Sequence, residues 1–185
     1  MTPAYRQKDP VYAAVVLAVL AAALALQLGP HPYNVAPVGA LCLFAGAYLP
    51  RAYAIAAPLA ILLLSTVLTT GLYDPLLMVA VYGGFAISAL IGRALLFERK
   101  TALRVAGGVG AGALSFFLIT NAASWMLDPM YPKSAGGLMA AYVNGLPFLG
   151  RSLIGDVMYA AAFFGLVEGY ARLRGLPAAE TRKQA

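Results

Sequence analysis

Apolar side chains run through this chain in long blocks rather than in the alternating or one-sided patterns of soluble strands and helices. A helix rises about 1.5 Å per residue, so about 20 mostly apolar residues are needed to cross roughly 30 Å of hydrocarbon. Blocks 11–28, 52–70, 76–92, 105–127 and 152–171 meet that requirement. A sixth block, 35–49, is shorter and lies around Pro37 and before Pro50, so length alone leaves it open between a tilted span, a half-helix and a re-entrant segment.

Charge placement favours six crossings. With a cytoplasmic amino terminus, the inner side receives Arg6, Lys8, Arg51, Arg93, Arg99, Lys100, Arg104, Arg172, Arg174, Arg182 and Lys183, and the outer side only Lys133 and Arg151. That is the positive-inside pattern, and a non-crossing sixth block would invert every later loop and destroy it. The expected fold class is therefore all-α, a polytopic membrane protein of six transmembrane helices with both termini inside. It divides into a cytoplasmic segment 1–10, a single membrane domain 11–171 and a charged cytoplasmic tail 172–185. The run 11–28 is expected to be a retained first helix, because it is longer than a signal-peptide core and further spans follow it.

Composition agrees: 62% of residues are apolar and 11% charged, against roughly 45–50% apolar in soluble domains. The net charge of +6 lies between hydrophobic runs instead of along a folded basic face, which argues against a nucleic-acid partner. The single Cys42 permits no internal disulfide, and no Cys/His spacing suits a metal. Inside the short second block it could hold a soft metal or a corrinoid, although a small packing residue is the commoner use. No phosphate-binding loop, HExxH motif or catalytic triad is present, so neither an enzyme nor a bound cofactor is expected.

Polar groups inside hydrocarbon must face protein or water, so their depth is informative. On this topology they gather at the outer ends: Ser65, Thr66, Thr69 and Thr70 close the third segment, Thr120, Asn121, Ser124 and Trp125 the fifth, and Ser152, Asp156 and Tyr159 open the sixth. An outward pocket is the expectation. Asp156 is either a ligand contact or a structural acid, paired with Arg151 or Lys133 or capping its own helix near the N-terminus. Asn121 serves equally well as an interhelical hydrogen bond. Trp125, Tyr131, Tyr142 and Tyr33 also fit an interfacial aromatic belt, and the lone His31 reads as a surface residue. The outer loop is expected to span 128–150, its apolar stretch 138–143 lying along the interface or folding back as a lid. Small residues at four-residue spacing recur in Ala14, Ala18 and Ala22, in Gly84, Ser88 and Gly92, in Gly108 and Gly112, and in Gly165 and Gly169, a pattern that lets helices approach closely.

The segments 34–41 (NVAPVGAL), 44–48 (FAGAY) and 115–121 (SFFLITN), followed by Trp125, Tyr131-Pro132, Gly137-Leu138, Tyr142, 146–148 (LPF) and Gly155-Asp156, resemble a family of small bacterial membrane proteins of unassigned function. That family is similar in turn to the substrate-binding S components of energy-coupling-factor vitamin transporters. The resemblance implies an S-component-like bundle in the bacterial inner membrane. Its outward pocket would bind a small vitamin-like nutrient, and the stripe Ala14, Ala18 and Ala22 would dock a membrane coupling subunit with ATPases. The expected binding residues are Asn34, Asn121, Trp125, Tyr131, Tyr142 and Asp156. The alternative is a membrane scaffold or assembly factor in which the polar ends only organise the bundle.

Overall fold

The computed structural model describes residues 10–30 and 32–175, so Arg6, Lys8, His31, Arg182 and Lys183 lie outside the described residues. All regular structure among those described is helical: α1 (Pro10–Leu28), α2 (Val38–Tyr48), α3 (Arg51–Ala54), α4 (Ala56–Thr69), α5 (Pro75–Leu96), α6 (Ala102–Leu127) and α7 (Ala135–Leu173). Five of these stretches, with α3 and α4 taken together, are long and apolar enough to cross a membrane, the architecture of an integral membrane protein. Their outward faces carry large apolar side chains, such as Leu103 at 83% and Val79 at 70% exposure. In a soluble fold such faces would be buried.

The shortest apolar helix is the core. Every residue of α2 except Gly39 is buried, with Phe44, Leu41, Ala40 and Cys42 at 0% exposure. Its 11 residues extend only about 16 Å, half a bilayer, and residues 32–37 reach it without helix. An all-apolar helix with no polar face is the pattern of a helix packed on every side. Both of its ends are held by neighbours: the Ala40 amide donates to Asp156 Oδ1 on α7 (2.9 Å), and the Arg93 guanidinium on α5 donates to the Leu49 carbonyl (2.9 Å). An acid at the N-terminus and a cation at the C-terminus complement the helix dipole.

Glycine lets α2 and α5 run parallel in backbone contact. A Cβ on Gly46 would overlap the Ala89 carbonyl oxygen and stand 2.7 Å from the Arg93 nitrogen, while one on Gly92 would overlap the Leu43 carbonyl oxygen. Gly84 meets Phe116, and Gly112 meets Ser88. Here the small-residue spacing does serve internal packing. It does not on α7, where Gly165 and Gly169 face open space, nor on α1. There Tyr12, Val16, Val19 and Ala23 form the buried side, whereas Ala14, Ala18 and Ala22 are exposed.

The largest departure from expectation is α7. The loop expected over 128–150 is only residues 128–134, and the apolar stretch 138–143 is helical, neither lid nor interfacial strip. Gly136, Gly137, Gly145, Pro147 and Gly150 read locally as loop, but Ser134 caps the helix by accepting from the Gly137 amide (3.2 Å), and Gly137, Ala141 and Gly145 are buried along it. Those small residues allow close contact, and that packing outweighs their poor helix propensity. The resulting 39-residue helix is about 58 Å long. The third segment differs in the opposite sense. Its helix breaks at Ile55, where the ring of Pro58 obstructs the carbonyl of Ala54.

Candidate functional site

Residues of α5, α6, α7 and the 32–37 segment enclose two adjoining cavities. The first, about 200 Å³, is bounded by Asn34 on one side and Thr120, Asn121 and Ser124 of α6 on another, with Phe116 and Phe148 as aromatic walls. The second, about 110 Å³, lies deeper against the start of α2 and touches Ser88 and Asp156. Asn34, Phe116 and Ser152 border both.

Asn34 is the one described non-glycine residue with positive φ, +60°. Asparagine tolerates this left-handed conformation better than most residues. The turn it forms aims the 32–37 segment into the bundle, where Val35 packs against Gly155. Asn121 donates its side-chain amide to the Phe117 carbonyl of its own helix (2.8 Å), and its Oδ1 lies against Gly145 of α7. The amide is thus oriented from below while its rim faces the cavity.

Asp156 is 21 residues beyond the first residue of α7, about 31 Å along it, not at the helix mouth. It pairs with neither Arg151 nor Lys133 and does not cap its own helix; it caps α2 instead. Gly39 makes this possible, since a Cβ there would stand 2.6 Å from Oδ2 and 2.7 Å from Cγ of Asp156. Lys133 has a different task, donating to the carbonyls of Trp125 and Asp128 (2.7 Å) at the end of α6.

The other expected binding residues stand apart from both cavities. The Trp125 indole N–H donates to the Pro132 carbonyl (2.9 Å), closing the α6–α7 turn in which Tyr131 lies. Tyr142 donates its hydroxyl to the Leu118 carbonyl (3.1 Å) and stacks obliquely on Phe117. These aromatics staple the hairpin, because an exposed turn between two long helices gains most from side chains that bridge it. Trp125→Phe is expected to cost about 1 kcal/mol of stability, the worth of one ordinary hydrogen bond, measured by thermal unfolding of the detergent-extracted protein.

The threonines ending α4 also need no ligand: Thr66, Thr69 and Thr70 each donate to the carbonyl four residues back, and Tyr82 donates to Thr66 (3.2 Å). Cys42 packs in the core with Val38, Leu62 and Ala89. Among the described residues no three His, Cys, Asp or Glu side chains are grouped as a metal site would require. Sequence reasoning missed the walls Phe85, Phe116 and Phe148, since an aromatic residue in an apolar run carries no sign that it faces a void.

Residues 7–178 match the family of unknown function DUF6580, and the chain belongs to that family. No curated protein and no solved structure matches it.

Proposed function

We propose that this DUF6580 member is a substrate-binding membrane subunit for uptake of a small nutrient, with the paired cavities as its binding site. The observation that carries the reading is the convergence of Asn34, Asn121, Thr120, Ser124 and Ser152 on one space with aromatic walls. Uncharged donors and acceptors between rings suit a flat, largely neutral molecule of vitamin-like size, with orientation set by the amides and affinity by the rings. In this reading the chain crosses a bacterial inner membrane six times, α2 and the 32–37 segment together making one crossing. Both termini are cytoplasmic, and the cavities open toward the outside. Arg51, Arg93, Lys100, Arg104 and Arg172 then share the cytoplasmic end. The exposed face of Ala14, Ala18 and Ala22 is available to a coupling subunit with its ATPases, since no helix among the described residues covers it.

The test is native mass spectrometry of gently extracted protein, searching for a co-purified small molecule. Asn34→Gly suits it, because glycine keeps the positive φ while removing the amide. Asn121→Ala suits it too, because the Phe117 carbonyl keeps its helical partner. Each variant should retain its fold and bind about tenfold more weakly, read as lower occupancy, the effect of about 1.4 kcal/mol at one hydrogen-bonding group. Wild type carrying no small molecule, with unfolding temperatures equal to both variants, favours the scaffold reading instead.

A further inference from the structure

A third cavity lies away from these two, on the flank of the bundle between α6 and α7. It has a volume of about 320 Å³. Its floor is Val105, Val109 and Ala160, and its sides are Ala106, Ala161 and Gly165. At one end stand Lys100 and Arg172, with Glu168 between the apolar floor and the cations. We propose that this groove seats one phospholipid with an anionic headgroup: an acyl chain along the apolar floor and the phosphate against Lys100 and Arg172.

Three observations support this occupant. Small side chains form the exposed sides of the groove, beside Val157 and the buried Phe164: a Cβ at Gly165 would meet nothing within 4 Å, so this glycine serves no helix contact, and Ala106, Ala161 and Gly165 are exposed. The charged groups stand only at the end where the α5–α6 connection and the last turn of α7 meet, the arrangement an amphiphile of one charged head and long apolar tails requires. Glu168, which accepts the Tyr48 hydroxyl (2.9 Å), offsets one of the two cations, so this end of the groove keeps a net positive charge that an anionic headgroup complements. Lys100 lies over the Tyr48 ring at 4.8 Å and donates to the Phe97 carbonyl, so its ammonium is held at the groove end, while Arg172 is exposed one turn beyond Glu168. A basic pocket between helices at the membrane edge is a recurrent headgroup site. A free phosphate would satisfy the cations but leave the apolar length of the groove unused.

The experiment reconstitutes full-length protein in vesicles of equal phosphatidylglycerol and phosphatidylcholine, extracts it in mild detergent and counts retained lipids by native mass spectrometry. Wild type should retain one phosphatidylglycerol in at least fivefold excess over phosphatidylcholine. Arg172→Gln should bring that ratio toward unity, and Gly165→Leu should reduce retention of both lipids, since a Cβ at Gly165 meets nothing within 4 Å and the rest of the leucine occupies the groove. Arg151→Gln, an exposed cation 21 residues earlier on α7, should change nothing. Equal retention of the two lipids by wild type, or equal losses from Arg151→Gln and Arg172→Gln, overturns the proposal. So does retention of phosphatidylglycerol undiminished by Gly165→Leu. If inorganic phosphate added to the vesicle-reconstituted protein displaces the lipid completely at millimolar concentration, the site is a phosphate site and the proposal also fails.

Discussion

Gly92→Ala is expected to be among the most damaging single-methyl changes in this protein, costing more than about 3 kcal/mol and leaving little folded material after extraction. The new Cβ would overlap the Leu43 carbonyl oxygen and stand 2.9 Å from its carbon and 3.0 Å from its Cα. Those atoms are backbone, so no rotamer change relieves the clash, and α2 is enclosed by α1, α4, α5, α6 and α7 with no direction in which to retreat. Ordinary overpacking costs about 1–3 kcal/mol when side chains can adjust. Here a whole helix must move. Gly83→Ala, on the same helix with nothing within 4 Å of its Cβ, is the control; it should be neutral or stabilising by up to about 1 kcal/mol, since alanine is the better helix former. Unfolding temperature and monodispersity in detergent separate the two. Equal behaviour of the two variants contradicts the backbone contact between α2 and α5.

Asp156→Ala should destabilise by about 2–3 kcal/mol, because it strands the buried Ala40 amide and removes the acid from the α2 N-terminus. Asp156→Asn keeps an acceptor in place and should cost about 1 kcal/mol or less. Gly39→Ala attacks the same contact from the other side by pushing the carboxyl away. The double variant Gly39→Ala/Asp156→Ala should therefore be less destabilised than the two single losses combined, a coupling of at least about 1 kcal/mol in a double-mutant cycle. Strict additivity would mean that Asp156 and Gly39 act separately. The asparagine variant also divides two roles of this residue: if it folds normally yet loses the co-purified molecule, the negative charge serves the ligand as well as the helix.

Several of these features are visible in the chain and several are not, and the line between them is physical. The five long apolar blocks, the clustering of cations on particular connections and the close-packing glycines of α5 and α6 follow from solvation and steric size, which each residue carries with it. Asn34, Asn121 and Asp156 stand out for the same reason: polar groups in apolar surroundings require partners. Their partners are a different matter. Nothing near Asp156 in the chain indicates that it caps a helix starting 118 residues earlier, and Trp125 and Tyr142 have a composition that fits a binding site as well as a hairpin staple.

The sequence by itself determined that the chain is helical and belongs in a bilayer, because the transfer energy of an apolar block depends only on its residues. It also marked out a short second helix without a polar face. Tertiary structure alone decided that this helix is the centre of the bundle and that residues 135–150 continue α7, because both outcomes depend on how closely distant backbones approach. Local propensity in a run of glycines and a proline opposes helix, and the packing energy that reverses it exists only once α6 lies alongside.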